Sequence, residues 1–160
     1  MHDILCFHCT HGSAVALSDD KSIASRTSDY GNAIVFSAQP IKVGQKVCVE
    51  LTQSTEWMGA IRIGVTSHDP AKMPPATLPR YVSPDLTRKD GYWAKGLDES
   101  YAKTGCQVTL SVTQTGQIVY YVNKHKCGVF LSRLPATAPL WLLFDLYGNT
   151  TAIKLVHPGE

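Results

Sequence analysis

The residues best equipped for chemistry stand near the start of the chain. There "CFHCTH" sets Cys6 and Cys9 in C-x-x-C spacing with His8 and His11 beside them. Thiolates and imidazoles are zinc ligands, but a structural zinc site takes a second ligand pair some residues downstream, and none follows here. Adjacent strand residues also point to opposite faces, so Cys6, His8 and His11 do not converge. The segment reads as an opening strand with small buried thiols and a histidine held by local hydrogen bonds. No metal or other cofactor is expected.

A nucleophilic thiol is the second possibility, because Cys106 and Cys127 share half of the chain with His125. Such an enzyme needs a base within hydrogen-bond reach and a third group to orient it, and the spacing supplies neither. Both cysteines fall in strand-like patterns, where buried thiols are ordinary. Among carboxylates, Asp19 and Asp20 lie in a turn, and Asp98 and Glu99 in a short exposed segment. Asp145 differs, because it stands inside the apolar run "PLWLLFDLYGN". A buried aspartate must be paired or hydrogen-bonded, so it reads as a structural anchor to an arginine or to loop amides. The phosphate-loop, dinucleotide and nucleophile-elbow motifs are absent. An enzyme is not expected. What remains are tyrosine, tryptophan and arginine, the residue types of protein-binding hot spots. Among them is "PRY" at Pro79–Tyr81, inside a Pro-rich stretch.

The elements that would position these residues are strands. In "KVCVELT", Val47, Val49 and Leu51 alternate with Lys46, Cys48 and Glu50. Ile61, Ile63 and Val65 alternate with Arg62 and Gly64, and Val108, Leu110 and Val112 with Thr109, Ser111 and Thr113. A two-residue period marks strands with one buried and one wet face. "SDDKS", "QTGQ" and "NKHKCG" read as turns. "PLWLLFDLYGN" is apolar on both faces, so it reads as a strand covered on both sides and ended by Gly148 and Asn149. Only "DESYAKTG" suggests a helical turn, with Gly105 as its C-cap. About a dozen short strands with almost no helix argue an all-β antiparallel β-sandwich or jelly roll.

The composition agrees with one such domain. The chain has 160 residues, 44% of them hydrophobic and 18% charged, enough for an ordinary core. A net charge of +2 is too small for the electrostatic footprint of a nucleic-acid binder. No apolar run reaches the length of a membrane span, and the first residues lack the pattern of a secretory leader. Five cysteines, an odd number, do not read as a disulfide framework; free thiols fit a reducing compartment, and a cytoplasmic protein is expected. The interruption is "TSHDPAKMPPATLPRYVSPDLT", Thr66–Thr87, which holds five of the nine prolines. Proline fixes φ and restricts the residue before it, so this stretch reads as an ordered surface, with Leu78 and Leu86 available as apolar anchors against a sheet face.

Taken in order, "FHCTHGSAVALSDD", "GNAIVFSAQPIKVGQKV", "WMGAIRIGVTSHDP", "LPRYVSPDLT", "GYWAKGLDESYA" and "PLWLLFDLYGNTTAIKLV" resemble the neuralized homology repeat over about residues 7–156. The resemblance implies a single domain over 1–160, a β-sandwich related to SPRY and concanavalin-like folds that binds proteins and does not catalyse. In neuralized-like proteins the repeat sits beside a RING or SOCS box and selects a substrate for ubiquitination. Notch ligands, bound through Asn-containing motifs in their intracellular tails, are the partners implied, and self-association is the alternative use. A carbohydrate-binding sandwich is a third reading, which the free thiols disfavour. This chain carries Asp29–Ile34 where relatives often have "SFCNAI", and Tyr81–Leu86 where they often have "YACPDL". On this reading the binding residues come from three loops. Arg80, Tyr81 and Asp85 belong to the long loop, Tyr30 and Asn32 precede "AIVF", and Tyr147 and Asn149 follow the apolar strand. The partner expected is a protein or peptide, a second copy being the other; no nucleic acid and no transmembrane segment are expected.

Overall fold

The computed structural model describes residues 2–28, 31–135 and 137–158. Twelve strands form two antiparallel sheets packed face to face. In chain order they are β1 (Phe7–His11), β2 (Val15–Leu17), β3 (Ile23–Arg26), β4 (Ile34–Ile41), β5 (Lys46–Ser54), β6 (Arg62–Thr66), β7 (Tyr92–Gly96), β8 (Gln107–Val112), β9 (Ile118–Val122), β10 (His125–Leu131), β11 (Leu140–Asp145) and β12 (Thr150–Val156). One sheet has the order β1-β4-β11-β6-β7, the other β10-β9-β8-β5-β12-β3-β2. The fold is the all-β antiparallel sandwich that the alternating pattern predicts.

The alternation decides what fills the space between the sheets. Val47, Val49 and Leu51 of β5 and Val108, Leu110 and Val112 of β8 point inward, opposite Ile61, Ile63, Val65, Leu142 and Phe144. Phe7 of β1 meets Phe144 edge-on, with centroids 6.1 Å apart at 89°. Cys48 departs from the simple pattern, because it lies on the outer face of β5 yet is buried. Its register partners Thr109 and Val156 flank the small thiol on both sides, and burial raises its pKa.

The expectation of buried thiols at the start of the chain is corrected. Cys6 and Cys9 are exposed. A bulge in the β1–β4 pairing lies between Phe7 and His11, and it is Phe7 and Thr10 that turn inward, leaving Cys9 outside. His8 is held locally, as its Nδ1 accepts the Thr10 N–H at 2.9 Å. The turn near residue 100 is a single 3-10 turn, Glu99–Tyr101, whose N-cap Asp98 accepts the Ser100 N–H. It ends at Ala102, so Gly105 is not its cap; with φ at +90°, Gly105 instead bends the chain toward β8 and donates its N–H to the Leu51 carbonyl at 2.7 Å. The β9–β10 hairpin turns through Asn123 and Lys124, both at positive φ, as a two-residue hairpin requires.

β11, third in its sheet, is covered on both faces. Leu142 and Phe144 join the main core, while Leu143 and Asp145 lie on the outer face beneath the long loop. The loop follows an ordered path. Asp69 caps a 3-10 turn over Pro70–Lys72, a second turn spans Pro75–Thr77, and the Leu86 N–H closes a wider turn on the Val82 carbonyl at 2.8 Å. Val82 and Leu86 then pack on Ile34, Phe36 and Leu143, with Leu78 and Met73 at the margin. The loop thus adds a second, smaller apolar core outside the sandwich.

Candidate functional site: a loop-built end of the sandwich

Four connections meet at one end of the molecule: the chain before β4, the β5–β6 loop, residues 80–83 of the long loop, and the turn after β11. Arg80 is exposed and Tyr81 half-buried. The Asn32 N–H donates to the Arg80 carbonyl at 2.7 Å, tying the chain before β4 to the long loop. Gly31 lies against the Arg80 side chain; a Cβ there would stand 2.3 Å from its Cγ. The Arg80 guanidinium sits 5.4 Å from the centroid of the Tyr81 ring. Tyr81 in turn meets Tyr147 edge-on at 5.6 Å.

Arg62, at the start of β6, completes the row. Its guanidinium lies 3.9 Å over the Tyr147 ring, and its Nη1 donates to the Ser83 carbonyl at 3.1 Å. Guanidinium over an aromatic face is a favourable arrangement, and it fixes the fork of donors in one plane. Arg62, Tyr147, Tyr81 and Arg80 therefore form a continuous row, two edge-on rings with a guanidinium at each end. Such a surface offers hydrogen-bond donors to carbonyl, carboxylate or amide oxygens, with flat apolar area between them.

The platform beneath is closely packed. The Tyr147 ring lies so near Gly59 that a Cβ there would stand 2.7 Å from Cε2, and Gly148 packs backbone to backbone on Gly59. Buried Arg26 of β3 donates to the Leu146 and Gly148 carbonyls at 2.7 and 2.9 Å, and its guanidinium lies 5.0 Å from the Trp57 ring centroid. Glu99 accepts the Gly59 N–H at 2.6 Å, which ties the β5–β6 loop down. Trp57 and Met58, two of the large hydrophobics that reach solvent, sit on that loop beside the row.

Asp145 lies under the long loop at the end of β11 and has no solvent exposure. Its Oδ2 accepts the Val82 N–H at 3.0 Å, so its role is that of an anchor for a loop amide. Its Oδ1 has no hydrogen-bond partner among the described residues. Burial pushes its pKa up to about 6, against the Val82 hydrogen bond and the opposing charges of Arg62 and Arg26.

The structure brings together Asn32, Arg80, Tyr81 and Tyr147 from the residues expected at the site; Tyr30 lies outside the described residues. Asp85 is exposed on the wider turn of the loop. Asn149 is committed to the fold: its N–H donates to Gly59, its carbonyl accepts from Thr55, and its Nδ2 donates to the Ala102 carbonyl. Arg62, Arg26 and Trp57 were not anticipated as neighbours of the site. Arg62 occupied an outward position in an alternating strand, which signals exposure but not the ring it meets. Arg26 sat at the end of "IASR", and nothing local marks it as buried.

A profile described as Neuralized matches residues 7–157. Protein neuralized of Drosophila virilis is 39% identical over 153 residues, covering 95% of this chain and 20% of that protein. E3 ubiquitin-protein ligase NEURL3 of Mus musculus is 36% identical over 160 residues, covering 98% of this chain and 63% of that protein. The chain thus spans only about a fifth of the length of the fruit-fly relatives. Among solved structures, the crystal structure of the Drosophila melanogaster neuralized-NHR1 domain superposes with a TM-score of 0.93 at 36% identity, covering 98% of this chain and all of that one. The TRIM65 PSpry domain, 16% identical with a TM-score of 0.61, shares the fold alone. Matched from β1 to β12, the chain belongs to the Neuralized family and folds as its homology repeat.

Proposed function

We propose that this domain is a non-catalytic recruiting module. It binds a short segment of a partner protein at the loop-built end and, within a longer protein, presents that partner for ubiquitination. The observation that carries this reading is the Arg62–Tyr147–Tyr81–Arg80 row, a surface of hot-spot residue types held on a closely packed base. The relatives named as E3 ubiquitin ligases supply the context for the partner's fate. The finer proposal is that the partner segment is an Asn-containing stretch, such as those in Notch-ligand tails. An asparagine side chain both donates and accepts, and guanidinium forks with loop carbonyls match both.

The test is fluorescence anisotropy with labelled Asn-containing tail peptides against the native chain, Arg80→Ala and Tyr81→Ala. Loss of one buried polar or aromatic partner costs about 1–3 kcal/mol, so each variant should weaken binding by roughly 5- to 150-fold. Unchanged affinity in both variants, with the fold intact by circular dichroism, would remove the loop end from the site.

A further inference from the structure

We propose that Asp145 is a positioning residue for the loop end, a proton-linked latch that sets how firmly residues 80–83 are held over the sheet. Three hydrogen bonds tie that stretch to elements outside the loop. The Arg80 carbonyl accepts from Asn32, the Val82 N–H donates to Asp145, and the Ser83 carbonyl accepts from Arg62. The second of these depends on a carboxyl group with no solvent exposure. Asp145 lies on the outer face of β11, the face that Val82 and Leu86 cover, so opening the loop is what returns it to water.

The unpartnered Oδ1 gives the latch its direction. An ionised carboxylate at that depth carries a full charge with half of its acceptor capacity unused, which is costly. A proton on Oδ1 removes the charge and leaves Oδ2 free to accept from Val82. The charged groups acting on Asp145 are Arg62 from β6 and Arg26 from β3, and both favour ionisation. β4 places Ile34 opposite it in register, and the loop places Val82 over it; neither titrates. Burial outweighs the arginines, and the carboxyl settles at about 6, well above its ordinary 3.8. The closed loop therefore holds the proton more tightly than an open loop in which Asp145 is hydrated. By linkage, acid favours the closed loop. Between pH 7.5 and pH 5 the closed-to-open ratio should rise about tenfold, taking pKa values of about 6 closed and 3.8 open. Arg80 and Tyr81 are held least firmly at neutral pH. The consequence for ligand binding rests on the proposed function above, but the latch itself does not.

The experiment is hydrogen exchange read by mass spectrometry on residues 78–88 of the 160-residue chain at several pH values, corrected for intrinsic exchange chemistry. Protection of this segment should rise about tenfold from pH 7.5 to pH 5, the rise setting in near pH 6, and Asp145→Asn should abolish the dependence. His68→Gln, which changes the loop's own histidine, should keep it. Arg62→Gln removes an attraction that favours ionisation, so the rise should set in at higher pH. This keeps the proposal testable even if Asp145→Asn does not fold. Protection that varies less than twofold in the native chain, an unaltered pH response in Asp145→Asn, or an unmoved onset in Arg62→Gln overturns the latch. Peptides that fail to bind while the loop titrates as described would instead sink the proposed binding site.

Discussion

The second core makes a quantitative demand on Leu86. Its side chain is 3% exposed and packs with Val82 on Ile34, Phe36 and Leu143. Leu86→Ala removes three carbons from that cluster. Transfer alone accounts for roughly 2–2.5 kcal/mol at about 0.8 kcal/mol per methylene. The cavity adds to it, and the measured range for such changes is about 2–5 kcal/mol. Because loop residues can shift inward more easily than sheet residues, a value near 3 kcal/mol is expected. Urea unfolding followed by tryptophan fluorescence should show the midpoint falling by roughly 1–3 M at the usual slopes. Leu110→Ala in the main core serves as the comparison and should cost at least as much. A loss below about 1 kcal/mol for Leu86→Ala would refute the second core as a closed, packed unit.

Gly148→Ala should cost upwards of about 2 kcal/mol, since φ is +63° and the new Cβ would stand 2.4–2.7 Å from backbone atoms of Gly59 and Met58; thermal melts would show it, and a neutral result would contradict the close approach. Because the folded-state pKa of Asp145 is raised to about 6, the native chain gains from this group as pH falls through 6. Unfolding free energies of native and Asp145→Asn chains should therefore change by roughly 1 kcal/mol relative to one another between pH 7 and pH 5, with the native chain gaining at pH 5. Arg26→Lys keeps the charge but loses the fork that satisfies the Leu146 and Gly148 carbonyls. A loss of about 1–3 kcal/mol in urea titrations is expected, and no loss would mean that one ammonium serves both.

The sandwich was readable because its signal is periodic. Val108, Leu110 and Val112 announce a face every second residue, and the same period recurs in β5, β6 and β12. Even the double covering of β11 was visible as an unbroken apolar run, with Leu86 and Leu78 available to provide the outer layer. The long loop was readable as ordered because proline acts locally through φ. The cation–ring row was only half readable. Arg80 and Tyr81 are neighbours in sequence, whereas Arg62 meets Tyr147 only because β6 pairs with β11 in a register that sets Arg62 opposite Asp145. Such a juxtaposition is a tertiary fact with no local trace. The same holds for Cys9, turned outward by a bulge, and for Asn149, whose side chain is spent on Ala102, 47 residues earlier.

The small apolar cluster beneath the long loop has a consequence for how this surface can diversify. Val82 and Leu86 hold the loop to the sheet, while Arg80 and Asp85 beside them face outward. Anchoring and display are thus assigned to different residues of one short segment. Exchanging the outward set leaves the inward set in place, so partner preference can drift between related chains without each change being tested first against the integrity of the sandwich. A library randomised at 80 and 85 alone would sample new recognition surfaces on a scaffold that keeps folding.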